Sequence, residues 1–205
     1  MNINKYPEIV PGHKFLKQFY IGIMTWTIGK AFQVMYKLDK NVRAEFDRLP
    51  ANFMMMLCIL PEDAFKPFFY AKIMPDFVVN YGLLPLGVPM ILGKDKEGKL
   101  KYMGSDKRGK KITLKLCMKS IDEAFRIFSF REPLAVAFNH GIYIVDGDLP
   151  ESLAFVRAME IVLVTLLPKS LAKMFVKRYP SWKELPPVKK WINRVLLWLR
   201  VYTVG

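Results

Sequence analysis

The sequence predicts an α+β fold with helical segments at both ends, on three observations. In the middle of the chain, Lys111-Ile112-Thr113-Leu114-Lys115-Leu116-Cys117-Met118 alternates strictly, with Ile, Leu, Leu and Met on one face and Lys, Thr, Lys and Cys on the other. That is the pattern of a half-buried antiparallel strand. Directly after it, Ser120-Ile121-Asp122-Glu123 is a capping box, in which the serine hydroxyl accepts from the Glu123 amide and Glu123 can reach back. On either side of this region the apolar spacing lengthens to that of helices. Strands and helices in this order exclude a doubly wound parallel sheet.

Residues 1–66 read as a helical N-terminal extension. Phe15, Phe19, Ile23, Trp26 and Lys30 fall on one stripe, and Phe32, Met35, Tyr36 and Leu38 extend its apolar character. Val42, Phe46 and Leu49 belong to a second segment that Pro50 closes. The run Phe53-Met54-Met55-Met56-Leu57-Cys58-Ile59-Leu60 is apolar on every side, so it belongs in an interior. Pro61-Glu62-Asp63 then reopens a helix at Ala64-Phe65.

Residues 67–168 form the α+β domain. A strand over 88–92, a turn at Asp95-Lys96-Glu97-Gly98 and a strand over 100–103 come first. Lys107-Arg108-Gly109-Lys110 reads as a hairpin turn from that strand into the alternating one. The helix opening at Ile121 carries Ala124, Phe125 and Phe128 on one face. Pro133 opens a short helix through Phe138, which His140-Gly141 ends. A strand over 142–148 follows, then a helix from Pro150 along Leu153, Val156, Met159, Glu160 and Leu163 to Pro168. Residues 169–205 read as basic amphipathic C-terminal helices. In the last of them Val188, Trp191, Ile192, Val195 and Leu199 share one stripe, and Lys189, Lys190, Asn193, Arg194 and Arg200 face the other way.

Composition narrows the class further. The chain has 205 residues, 52% apolar and 14% aromatic, too apolar for a disordered segment, and its net charge is +14. The candidate apolar stretches 18–29 and 49–61 fall short of the roughly 18 apolar residues of a membrane-spanning helix. No small-residue cleavage site follows the first apolar run, so a secretory leader is not expected. Cys58 and Cys117 stand far apart within apolar patterns, the look of buried thiols in a reducing compartment, with a single bridge as the alternative. The cytoplasm is the expected location, with the inner membrane face as a peripheral seat.

Catalytic motifs are missing. His13, His140 and two distant cysteines make no zinc pattern, and there is no phosphate-cradling glycine loop and no nucleophile elbow. Asp146 and Asp148 could share a strand end as an acid–base pair, but nothing supplies a partner nucleophile, and they read as a polar strand terminus and helix start. His140 likewise reads as a helix stop. No catalytic residue, metal or cofactor is expected.

The ordered set of alternating strand, Ser-capped helix, short helix and Gly141-Ile142-Tyr143-Ile144-Val145-Asp146-Gly147-Asp148 leading into a helix at Leu153 resembles the sterol carrier protein family of lipid-binding domains. The matching pieces lie between about 80 and 168. The resemblance implies about five mainly antiparallel strands with helices over one face and an apolar tunnel between the layers, and extends to lipid-binding accessory proteins of ubiquinone biosynthesis. It implies a non-enzymatic carrier of sterols, acyl chains, phospholipids or isoprenoid quinone intermediates. The expected tunnel walls, from facing and family position, are Leu114, Leu116, Met118, Phe125, Phe128, Leu134, Phe138, Ile142, Ile144, Met159 and Leu163. Twelve methionines and fifteen phenylalanines suit walls that adapt to irregular ligands.

Charge points to a second partner. Between Lys169 and Arg200 nine basic residues meet one acid, Glu184, with Trp182, Trp191 and Trp198 interleaved. This suits a helix lying on an anionic bilayer, and the expected docking residues are Lys189, Lys190, Trp191, Arg194 and Trp198. Nucleic acid is not expected, because no reading helix, zinc finger or aromatic-bearing RNA-binding strand is visible. The alternatives are a scaffold subunit of a lipid or quinone biosynthetic complex, and an enzyme on a lipid-like substrate.

Overall fold

The apolar run at 53–60 is the centre of the molecule, as a strand and not as part of a helical extension. The computed structural model describes residues 15–60, 89–106, 109–132, 134–176 and 187–203. In chain order the elements are α1 (Phe15–Leu38), α2 (Lys40–Asp47), β1 (Met54–Ile59), β2 (Met90–Lys94), β3 (Leu100–Tyr102), β4 (Leu114–Met118), α3 (Ile121–Phe128), α4 (Leu134–Asn139), β5 (Tyr143–Asp146), α5 (Leu149–Leu166), α6 (Lys169–Phe175) and α7 (Pro187–Thr203). A strand buried on both faces loses its alternation and looks like any other buried run, which is why β1 escaped a period-based reading. The helix expected at Ala64-Phe65 lies outside the described residues.

The fold is α+β, with one five-stranded mixed sheet in the order β3-β2-β1-β4-β5. Three of the four pairings are antiparallel; β1 and β4 run parallel. The register Met55↔Leu114, Leu57↔Leu116 and Ile59↔Met118 puts these six side chains on one face with Met90 and Leu92. The alternate residues Met56, Cys58, Ile91 and Cys117 form a smaller buried cluster on the other face.

The turn expected at 107–110 does not make a hairpin. β4 lies on the far side of β1 from β2 and β3, so β3 and β4 never pair. Lys107 and Arg108 are outside the described residues, while Lys110 Nζ donates to the carbonyls of Met103 and Asp106 at 2.7 and 2.6 Å. Basic residues and a glycine mark a turn without saying which strand the chain joins next. Thr113 exchanges bonds with the Met54 backbone at 2.7–3.1 Å, so β4 starts at Leu114, and Ile112 packs with the second cluster instead of the Leu114 face. The other expected turn is present: Asp95 Oδ1 accepts from the Glu97 and Lys99 amides, both at 2.9 Å, and closes the β2–β3 hairpin.

Helices cover the Leu57–Leu116 face. α1 packs against β2, β3, α2, α3, α5 and α7. It passes so near the sheet at Gly29 that a Cβ there would lie 2.6 Å from the Tyr102 ring. One turn on, Gln33 Oε1 accepts from the Tyr102 amide at 2.9 Å, satisfying a donor on the edge strand. Phe32 stacks on Phe155 of α5, centroids 5.2 Å apart, and meets Phe46 of α2 edge-on at 5.8 Å. Residues of α1, α2 and β1 therefore share one core with β4, α3 and α5 and do not form an extension.

The serine half of the capping box forms as expected, with the Glu123 amide donating to Ser120 Oγ at 3.2 Å. At the end of β5, Gly147 has φ +140°, and an added Cβ would lie 2.7 Å from the Thr113 carbonyl oxygen. This glycine lets β5 leave the sheet hard against the start of β4 and turn into α5.

Candidate functional site

Between the sheet and its helices lies an apolar cavity. The helical faces come from Met24 and Ile28 of α1, Ile127 and Phe128 of α3, and Phe155, Val156, Met159, Leu163 and Leu166 of α5; the sheet contributes Leu57, Leu116 and Tyr143, and Phe130 and Leu167 complete the wall. The space open to the centre of a water molecule is about 60 Å³, several times the roughly 10–15 Å³ one water needs. It is partly open to the surface. Among the described residues its lining carries no carboxylate, imidazole, amine or thiol. Only Tyr143 brings a hydroxyl, and burial, reinforced by nearby Glu132, pushes that phenol far above its ordinary ionisation range. Such a wall can exclude water and hold hydrocarbon; it offers no acid–base pair.

Of the residues expected to line a tunnel, Leu116, Phe128, Met159 and Leu163 reach this cavity. Leu114, Met118 and Ile142 are buried in the surrounding core, and Phe125 packs at its margin. Leu134 and Phe138 lie on α4, and their side chains fall outside the described ones. Ile144 is displaced from expectation. It pairs with Cys117, which puts it on the face opposite Leu116, and it is 44% exposed. In an antiparallel pair directly opposed residues share a face, so the register decided its side. Met24, Ile28 and Leu57 were missed because α1 is apolar on most of its circumference and β1 on both faces. Neither pattern says which side is inward.

The last helix turns the expected stripe of Trp191, Ile192, Val195 and Leu199 outward. Leu197 and Val201 are buried, and Arg194 turns inward, its Nε donating to the Thr165 carbonyl at 2.9 Å and its Nη2 to the Val164 and Leu167 carbonyls. Those are the unsatisfied carbonyls at the C-terminal end of α5, where a cation is also favoured by the helix dipole. Arg194 is thus an anchor and not a free docking charge. The side chains of Lys189 and Lys190 lie outside the described ones. Trp191, Ile192, Val195, Leu199 and Tyr202 are 51–63% exposed and Trp198 is 37% exposed. A helix with two apolar stripes docks by one of them, and here the inner stripe is the shorter.

The remaining polar candidates do not line the cavity. Glu132, buried, takes Arg126 at 2.7 Å and His140 Nδ1 at 2.9 Å, tying α3 to the end of α4. Asp146 and Asp148 are exposed at the end of β5 and the start of α5. Cys58 and Cys117, expected as separate buried thiols, stand opposite each other in the parallel β1–β4 register with Cα atoms 4.5 Å apart, and form a disulfide. Distance along the chain hid a pairing that strand register created. It also removes the free-thiol argument for a reducing compartment. No helix among the described residues is long and apolar enough to cross a membrane. No protein-family model, no curated protein and no solved structure matches this chain.

Proposed function

We propose that this protein binds an apolar lipid, an acyl, sterol-like or polyprenyl/quinone tail, in the cavity between sheet and helices, and presents or transfers it at an anionic membrane surface without catalysing a reaction. The single observation that carries this reading is the cavity wall, carbon almost throughout, closed on one side by Leu57 and Leu116 and on the other by α1 and α5. The order of elements from β4 to α5, which resembles the sterol carrier family, and a five-stranded sheet with α1, α3 and α5 packed over one face are consistent with it. Burial of each ligand methylene contributes roughly 0.8 kcal/mol, so a six-carbon segment gains roughly 5 kcal/mol. A longer tail requires the walls to move, which methionines such as Met24 and Met159 do readily.

Native mass spectrometry of the purified protein, followed by organic extraction, tests the reading. A released lipid or quinone-like mass supports it and names the class. An apo mass that mixed lipids leave unchanged ends it. A second reading, a scaffold subunit of a lipid or quinone biosynthetic complex, has the exposed apolar side of α7 in its favour. A stable stoichiometric partner on gentle purification would decide for it.

A further inference from the structure

We propose that α7 is the element that lies on a bilayer rich in anionic phospholipid, with its outward apolar side entering the headgroup boundary, and that Arg194 couples it to the turn of α5 that walls the cavity. Lipid then passes between bilayer and cavity beside that turn. The passage rests on the reading of the cavity as a lipid site; the docking stands on α7 alone.

At 3.6 residues per turn, Trp191, Ile192, Val195, Trp198, Leu199 and Tyr202 fall within an arc of about 120°. All six are exposed, whereas Leu197 and Val201 on the opposite arc are buried against the body. A surface helix in water places polar residues on its outer arc. This one presents aliphatic and aromatic carbon there, with two tryptophans and a tyrosine, the residues suited to the level of lipid headgroups.

Charge selects the occupant. α7 contains Lys189, Lys190, Arg194 and Arg200 and no acid, and the chain from 169 to 200 carries nine basic residues against one acidic. Each cation near an anionic surface contributes on the order of 1 kcal/mol. A protein groove would accept the same carbon but gives no reason for such one-sided charge.

The link to the cavity is geometric. Leu163, Leu166 and Leu167 line the cavity, and the carbonyls of Val164, Thr165 and Leu167 hold Arg194. The same guanidinium lies 5.6 Å from the centroid of the exposed Trp191 ring. A shift of α7 on a membrane is therefore transmitted to the α5 turn that forms one end of the cavity.

The test uses the full chain, flotation with phosphatidylcholine vesicles with and without phosphatidylglycerol, and uptake of a fluorescent fatty acid from dilute solution and from those vesicles. The wild type is expected to float with anionic vesicles. Ile192→Glu/Val195→Glu should lose this by roughly tenfold or more, with an unchanged urea midpoint and unchanged uptake from solution. Should that pair fold poorly, Ile192→Gln/Val195→Gln repeats the measurement. Arg194→Gln should keep flotation but slow uptake from vesicles relative to uptake from solution; equal slowing of both would overturn the coupling. Flotation by neither vesicle, or undiminished in the double variant, would overturn the docking. So would a wild-type dimer that the double variant dissociates, since a second copy would then be the occupant. Failure of both proteins to take up fatty acid from solution, with flotation still split between them, would remove the cavity reading and the passage while leaving the docking intact.

Discussion

Arg194 Nε donates to the Thr165 carbonyl at 2.9 Å, across 29 residues of chain, and this contact pins the C-terminal helix to the end of α5. With the guanidinium committed to the end of α5, Leu197 and Val201 fall inward and Trp191, Ile192, Val195 and Leu199 fall outward. Burial lowers the arginine's ionisation only from a very high starting range, so it stays charged.

Replacing Arg194 by alanine leaves the carbonyls of Val164 and Thr165 in α5, and of Leu167 just past it, without their charged donor. Hydrogen bonds to charged groups contribute about 1.5–3 kcal/mol, and a loss of that size is expected in urea unfolding. Arg200→Ala, on the exposed side of the same helix, is expected to change stability by less than about 0.5 kcal/mol.

Phe155 both lines the cavity and stacks on Phe32. Phe155→Ala is expected to cost about 3–5 kcal/mol, because it removes a buried ring and enlarges an existing void. Denaturant midpoints measure the loss. An apolar additive that fits the enlarged space should recover part of it, by binding the folded state alone.

A methyl group at Gly29 has no room against the Tyr102 ring. Gly29→Ala is expected to destabilise by about 1–3 kcal/mol, the range for overpacking. Combining it with Tyr102→Val should restore part of the loss, whereas simple additivity would place the strain elsewhere.

The disulfide closes a separation of 59 residues. In the chain-entropy account such a loop contributes about 4 kcal/mol. Alkylation of the denatured protein should label Cys58 and Cys117 only after reduction, and Cys58→Ser/Cys117→Ser should lower the unfolding midpoint. Labelling of both thiols without reductant would show that the pair is not bonded in solution.

Tyrosine ionisation sets the alkaline limit of stability. Burial, together with the 2.6 Å bond from its hydroxyl to Asp47 Oδ1, pushes Tyr36 up to about 12. Burial also raises Tyr20, Tyr102 and Tyr143. In the unfolded chain these phenols ionise near pH 10. The unfolded state therefore loses protons first, and stability that is complete below about pH 10 should fall steadily above it. Urea midpoints at neutral pH and above about pH 10 test this, and Tyr36→Phe should make the alkaline decline shallower.

Local chemistry was legible wherever a residue's role depends on its neighbours in the chain. The Ser120 cap, the Asp95 turn, the helix from Ile121 and the strand through Leu116 all follow from period and capping, and all are present. Four of the expected tunnel residues reach the cavity because alternation in β4 and spacing in α3 and α5 were enough to orient them.

Period, capping and composition were enough for the α+β class, for most of the element boundaries from β2 to α5, and for the excess of carbon and positive charge. The tertiary structure alone decided that Met54–Ile59 is the central strand, that β4 runs beside it in parallel, that Cys58 meets Cys117, and which stripe of α7 turns outward. The physical reason is common to all four. A segment apolar on every side carries no directional signal, and pairing between distant segments is settled by which arrangement buries the most carbon while keeping every backbone group bonded.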